Sequence, residues 1–188
     1  MQEQIDKLLA SSHTFKDVFE ANKEHKNHKY IFIYEKDGKT VNVSYNEFFD
    51  NCFKYAAQFK KELANIETGS YVAYKLTNSP VWGYVFWGLL ITGYNPVIIN
   101  PMYSTNDTNK LVKESGAKFI FNQKEEVLDI PSKLISEISI TDEKFEADVW
   151  GTKIAFCTSG TTGDSKVFVY TDENIPSQWR AYRIRTPS

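Results

Sequence analysis

Residues 69–122 read GSYVAYKLTNSPVWGYVFWGLLITGYNPVIINPMYSTNDTNKLVKESGAKFIFN, and the fold turns on how the apolar runs in this stretch alternate. After Gly69, YVAYKL (71–76) is a short run rich in strand formers. Across NSPVWGYVFWGLLITG (78–93) a helix is predicted: Ser79 can cap it, Pro80 suits its first turn and Gly93 its C-terminal turn. PVII (96–99) reads as the next strand, STNDTNKLVKESG (104–116) as a second capped helix, and KFIFN (118–122) as a third strand. Strand, helix, strand, helix, strand implies parallel pairing through right-handed crossovers. The fold class is therefore α/β, with a mainly parallel sheet flanked by helices.

Working outward, TFKDVFEAN (14–22) places Asp17 three residues after Thr14 and spaces Phe15, Val18 and Phe19 as one helical face. KYIFIYEKDGKTVNVSY (29–45) reads as a hairpin around Asp37-Gly38, a pair that tolerates positive φ. Ser44 and Glu47 form a capping box for a helix over 44–64, with Val43 able to staple onto Phe48. In that helix Phe48, Phe49, Cys52, Phe53, Ala56, Phe59 and Leu63 share one buried face, an aromatic stripe that reads as core. The acidic segment 123–147 reads as a surface excursion with one weak strand at EISI (137–140). Downstream, KIAFCT (153–158) and KVFVYT (166–171) are strands on either side of a hydroxyl-rich loop.

Composition removes several function classes. Apolar residues make up 41% of the chain, enough for a real core, and the net charge of -2 supplies no drive toward nucleic acid or an anionic membrane. Two cysteines, Cys52 and Cys157, in apolar segments read as reduced, consistent with a cytoplasmic setting, and the polar N-terminus lacks the order of an export signal. The apolar run from Val81 to Ile91 falls well short of the ~17–25 residues a membrane span needs, and Asn95-Pro96 separates it from the next apolar run. His25 and His28, in EHKNHK, read as a solvated segment because metal binding would need further ligands. Lys60-Lys61 reads as an exposed helix face.

The chemistry concentrates in CTSGTTGDSK, residues 157–166. Gly160 and Gly163 free the backbone to turn successive N–H groups inward, the nest that holds a phosphate. Thr158, Ser159, Thr161 and Thr162 add hydroxyl donors, and Lys166 adds a positive charge. A Walker A loop is excluded, because Ser165 precedes the lysine, Val167 comes after it, and VFVY continues as strand rather than helix. A kinase-type glycine loop lacks its third glycine here. On spacing alone, a phosphate cradle and a polar hairpin turn stand level.

A resemblance separates them. Thr158 to Gly163, with Lys166, are similar to the TSGTTGxPK signature of the adenylate-forming (AMP-binding, acyl-activating) enzymes, which include acyl-CoA synthetases and peptide-synthetase adenylation domains. Ser165 departs from the family's proline, which loosens the loop's exit without removing a ligand. SYNEFFDNCFKYAAQF resembles the family's early helix. The stretch 69–93 resembles its glycine turn, strand, Asn-Ser and helix, and 95–121 resembles the next unit. The resemblance covers roughly residues 14–175 in order.

It implies an incomplete N-terminal portion of the adenylate-forming fold, residues 1–175, and a two-step ligase using ATP and Mg2+. A carboxylic acid would be activated as its adenylate, then passed to a thiol, coenzyme A or the phosphopantetheine of a carrier protein. Thr158, Ser159, Gly160, Thr161, Thr162, Gly163 and Lys166 would hold the β- and γ-phosphates. The family's later Mg-binding Glu, ribose-binding Asp and lid lysine have no counterpart, so no catalytic or metal-ligating residue is assigned, and this piece alone is expected to be inactive. The alternative is a naturally short, non-catalytic nucleotide-binding or interaction module.

One compositional shift bears on the end of the chain. Every basic residue from Lys7 to Lys166 is lysine, whereas Arg180, Arg183 and Arg185 are the only arginines. Residues 176–188 are accordingly read as a non-native or disordered tail, vector-encoded or out of frame. Apolar surface left uncovered by missing subdomains would favour self-association.

Overall fold

The computed structural model describes residues 13–24, 30–143, 145–159 and 165–175. The readings for His25, His28 and the segment 176–188 lie outside these residues. Helix α1 (Phe15–Glu24) is followed by the hairpin strands β1 (Tyr30–Lys36) and β2 (Lys39–Ser44) and by helix α2 (Tyr45–Glu62). Then β3 (Tyr71–Lys75), α3 (Pro80–Ile91), β4 (Asn95–Ile98), α4 (Thr105–Ser115) and β5 (Phe119–Asn122) alternate as expected. β6 (Ser132–Leu134), β7 (Lys153–Ser159) and β8 (Ser165–Thr171) complete the described strands.

The hairpin turns at Asp37 and Gly38, whose φ values of 52° and 72° match the positive-φ requirement of a tight turn. All the remaining described strands form one sheet in the order β6-β5-β3-β4-β7-β8, parallel except for the antiparallel β7–β8 pair. β3 lies inside this sheet, so its side chains are buried on both faces. Val72 and Tyr74 join the cluster formed with α2 and α3, while Ala73 joins Val97, Ile120 and Ala155 in the cluster under Leu111 and Val112 of α4. The period-2 alternation of one strand thus separates two cores, the arrangement of an α/β sheet covered on both faces.

α3 is apolar around its whole circumference because it is packed on more than one side. A side chain at Gly88 would meet Phe59, the Cβ of Tyr55 at 3.2 Å and the backbone of Ala56 at 3.3 Å, so the small residue lets α3 approach α2 closely. No helix among the described residues is long and apolar enough to cross a membrane.

Three expectations change. Ser79 stands at the N-cap of α3, but its hydroxyl caps nothing; its backbone carbonyl accepts the Trp82 N–H at 3.1 Å instead, and Pro80 has no N–H to satisfy. EISI is not a strand. The free edge of β5 is taken by β6, five residues earlier; the Ile138 N–H donates to Ile135 O at 3.3 Å to close a 3-10 turn over Ile135–Glu137, and the Glu137 carboxylate caps it by accepting the Leu134 N–H at 3.3 Å. α2 is buried beyond its aromatic stripe, at Ala57 and Gln58, and Tyr55 joins the stripe between Cys52 and Phe59. There the excursion lies along the helix: Gln58 donates to Thr141, and Lys54 and Lys61 pair with Asp142 and Glu143.

Candidate functional site

The loop expected to hold phosphate hangs from the β7–β8 ladder. That ladder runs in register from Lys153 opposite Thr171 to Ser159 opposite Ser165. Residues 160–164 lie between the two strand ends in the sequence. Gly160, Thr161, Thr162 and Gly163 fall in that interval, outside the described residues. Of the other candidates, Ser159 ends β7, and Thr158 and Lys166 face each other directly across the two strands. Both are exposed, on the strand face that also carries Phe156 and Phe168. A hydroxyl and an ammonium thus stand together at the foot of the loop.

Its location follows from topology. β7 runs parallel to β4, so the loop leaves the carboxyl ends of the parallel strands, together with the connections after β3, β4 and β5. Open α/β sheets bind ligands at that end, where side chains and loop amides converge beyond the last ladder bond.

The base of the ladder is held by polar anchors that sequence reading missed. Asn95, buried at the start of β4, accepts the backbone N–H groups of Thr152 at 3.1 Å and Lys153 at 2.9 Å and donates to Gly69 O at 2.6 Å. Asp172 accepts the Phe15 N–H at 3.0 Å, tying the first turn of α1 to the end of β8. Burial raises the Asp172 carboxyl above its ordinary range, against the lowering effect of that bond. Glu114 of α4 accepts the Val167 N–H at 3.3 Å. At the carboxyl end, Lys75 is buried against Glu126 and the Tyr103 carbonyl. The available signal was polarity in apolar company: a lysine closing YVAYK and an asparagine opening NPVI.

Cys157, next to Thr158, is half-buried. Burial, with the charge of Glu114 nearby, pushes its thiol up to about 12, and burial also raises the Cys52 thiol. Alkylation of the native chain by iodoacetamide at pH 8 is expected to be about a hundredfold slower than that of a free thiol, because so little thiolate is present. Rapid labelling at Cys157, mapped by peptide mass spectrometry, would contradict this. Among the described residues, no group of three or more His, Cys, Asp or Glu side chains could hold a metal ion.

Comparison with known proteins gives this geometry a family. The family described as AMP-binding enzyme matches residues 18–187. No curated protein sequence matches the chain. Among solved structures, the chain is similar to the N-terminal subdomain of NpsA from Klebsiella oxytoca, with a TM-score of 0.71 and 16% identity over 85% of this chain and 42% of that one. It is similar to the O-succinylbenzoate coenzyme A synthetase MenE of Bacillus subtilis, solved with AMP, with a TM-score of 0.70 and 19% identity over 90% and 46% of the two chains. It is also similar to a fatty acyl-adenylate ligase from L. pneumophila, solved with acyl adenylate and pyrophosphate, with a TM-score of 0.75 and 15% identity over 94% and 33%. The chain spans less than half the length of each. At these identities the structural likeness establishes the fold, the N-terminal part of the adenylate-forming architecture, and the match over residues 18–187 establishes that the chain belongs to the AMP-binding enzyme family.

Proposed function

We propose that this chain is the phosphate-gripping N-terminal part of an ATP-dependent ligase that activates a carboxylic acid. In the first step a carboxylate oxygen bonds to the α-phosphorus of ATP, the bond to the bridging oxygen breaks, and pyrophosphate departs. In the second, a thiol such as that of coenzyme A or a carrier phosphopantetheine attacks the acyl carbon, giving a thioester and releasing AMP. The pyrophosphate portion carries the leaving charge of the first step, so donors and a cation held against it lower the barrier. The single observation that carries this reading is the pairing of Thr158 with Lys166 at the foot of a glycine- and threonine-rich turn, at the carboxyl end of a parallel sheet.

In this reading Mg2+ accompanies ATP and neutralises part of the charge of its phosphates. The exposed Phe156 and Phe168, 41% and 56% accessible, fit a face that further chain covers in the whole ligase and that favours self-association without it. Two free cysteines fit a reducing, cytoplasmic setting.

The test is ATP–pyrophosphate exchange by the ligase bearing this sequence, across a panel of carboxylic acids. Label should enter ATP only when the right acid is present. No exchange with any acid would overturn the reading, and ATP binding without exchange would support a non-catalytic module. The 188-residue chain alone should bind ATP only weakly, because adenine and ribose contacts are expected elsewhere. Submicromolar affinity in calorimetry would contradict that expectation.

A further inference from the structure

Lys75 ends β3 with only 4% of its side chain exposed. An ammonium is costly to desolvate, so its partners indicate what its burial accomplishes. Its Nζ donates to both carboxylate oxygens of Glu126, at 2.7 and 2.9 Å, and to the Tyr103 carbonyl at 2.7 Å. Three acceptors match the three protons of the ammonium. Glu126 lies in the connection after β5 and Tyr103 in the connection after β4. One side chain therefore fastens both connections across the end of β3. Thr105 Oγ1, in the first turn of α4, lies 3.3 Å from Glu126 Oε2 and extends the network to that helix.

The β4 connection is the nearer neighbour of β7. β4 lies between β3 and β7, and Ile98 pairs with Phe156, two residues before Thr158. The backbone after Ile98 thus leaves the sheet beside the end of β7, where Thr158 stands. Two apolar side chains of similar volume could fill the same space, and such replacements of buried ion pairs are often neutral or stabilising. What apolar replacements cannot do is hold a carbonyl in one direction.

Resting on the nucleotide-binding reading above, we infer that Lys75 is a positioning residue: through Glu126 and the Tyr103 carbonyl it clamps the 99–104 connection beside the end of β7 that carries Thr158. It thereby sets nucleotide affinity without touching the nucleotide.

The test uses the full chain carrying Lys75→Met with Glu126→Met, which leaves no unpaired charge behind. Hydrogen exchange is followed at Met102 and Tyr103, whose N–H groups bond to Asn100 Oδ1 at 2.9 Å and Asn100 O at 3.1 Å. In the double variant these amides should exchange about tenfold faster, reporting local opening. ATP affinity, titrated by NMR where all variants remain folded, should fall by roughly tenfold, because a displaced 99–104 connection no longer steadies the end of β7 that carries Thr158. Lys75→Arg keeps the charge and several donors, and should restore both readouts toward the parent. Phe59→Leu, a change in the α2 core, should lower stability while leaving both readouts unmoved. Unchanged exchange at 102 and 103 would overturn the clamp. Faster exchange with unchanged ATP affinity would overturn its role in nucleotide binding. A parent chain that binds no ATP would bring down the nucleotide-binding reading itself, with the exchange rates still judging the clamp.

Discussion

A Gly151→Ala variant is expected to lose about 3 kcal/mol of unfolding free energy, from overpacking together with a strained hydrogen bond. A Cβ at this position would sit 2.1 Å from the Tyr94 carbonyl oxygen and 3.0 Å from Leu90 Cδ2. The first neighbour is backbone at the start of β4, so no side-chain rotation relieves the clash. The Gly151 N–H also donates to Leu90 O at 2.7 Å, and any shift of residue 151 gives up that bond. Residue 151 leads into the Thr152 and Lys153 amides that Asn95 holds, so the displacement propagates into β7 and toward the phosphate loop. Urea unfolding checks this: the midpoint should fall with the slope unchanged. Gly38→Ala is the comparison. Gly38 has φ +72° with open space around it, so only conformational cost applies there, about 1 kcal/mol. Equal losses at the two positions would refute the steric account.

Lys166→Met is expected to reduce kcat/KM for ATP–pyrophosphate exchange by about a hundredfold in the ligase bearing this sequence, the scale of removing one stabilising group from a developing charge. Lys166 is exposed on β8, so stability should stay within about 0.5 kcal/mol of the parent. That separation distinguishes lost phosphate binding from misfolding. Lys166→Arg should recover part of the activity, because it keeps the charge while replacing a compact ammonium with a planar fork. The parent's ATP affinity should also weaken as ionic strength rises, since an exposed charge is screened. Full exchange by Lys166→Met would remove this lysine from the site.

Much of the fold could be read from local pattern. Capping at Ser44 and Ser104 is confirmed by their hydroxyls accepting the Glu47 and Asp107 N–H groups, at 3.2 and 3.1 Å. Such signals act within one turn and need no distant partner. The failures share the opposite property. EISI has strand composition, yet a strand exists only where a neighbour offers an unpaired edge, and residues 132–134 occupy the edge of β5. Ser79 has a capping side chain, but whether it is used depends on which acceptor the Trp82 N–H finds. Ala57 and Gln58 fall off the periodic stripe of α2, and Gln58 is covered by a segment some eighty residues later that returns to lie along the helix.

The sequence by itself determined the alternating α/β order, the tight turn at Asp37-Gly38 and the glycine- and threonine-rich stretch between two strands, because each is written in short-range spacing. Tertiary structure alone decided that Thr158 faces Lys166, that Asn95 holds the start of β7, that Gly151 must lack a side chain, and that Lys75 binds two connections at once. Each depends on which strands become neighbours. Neighbours in a parallel sheet are chosen by burial of whole faces, a property of the folded chain that no short window of residues contains.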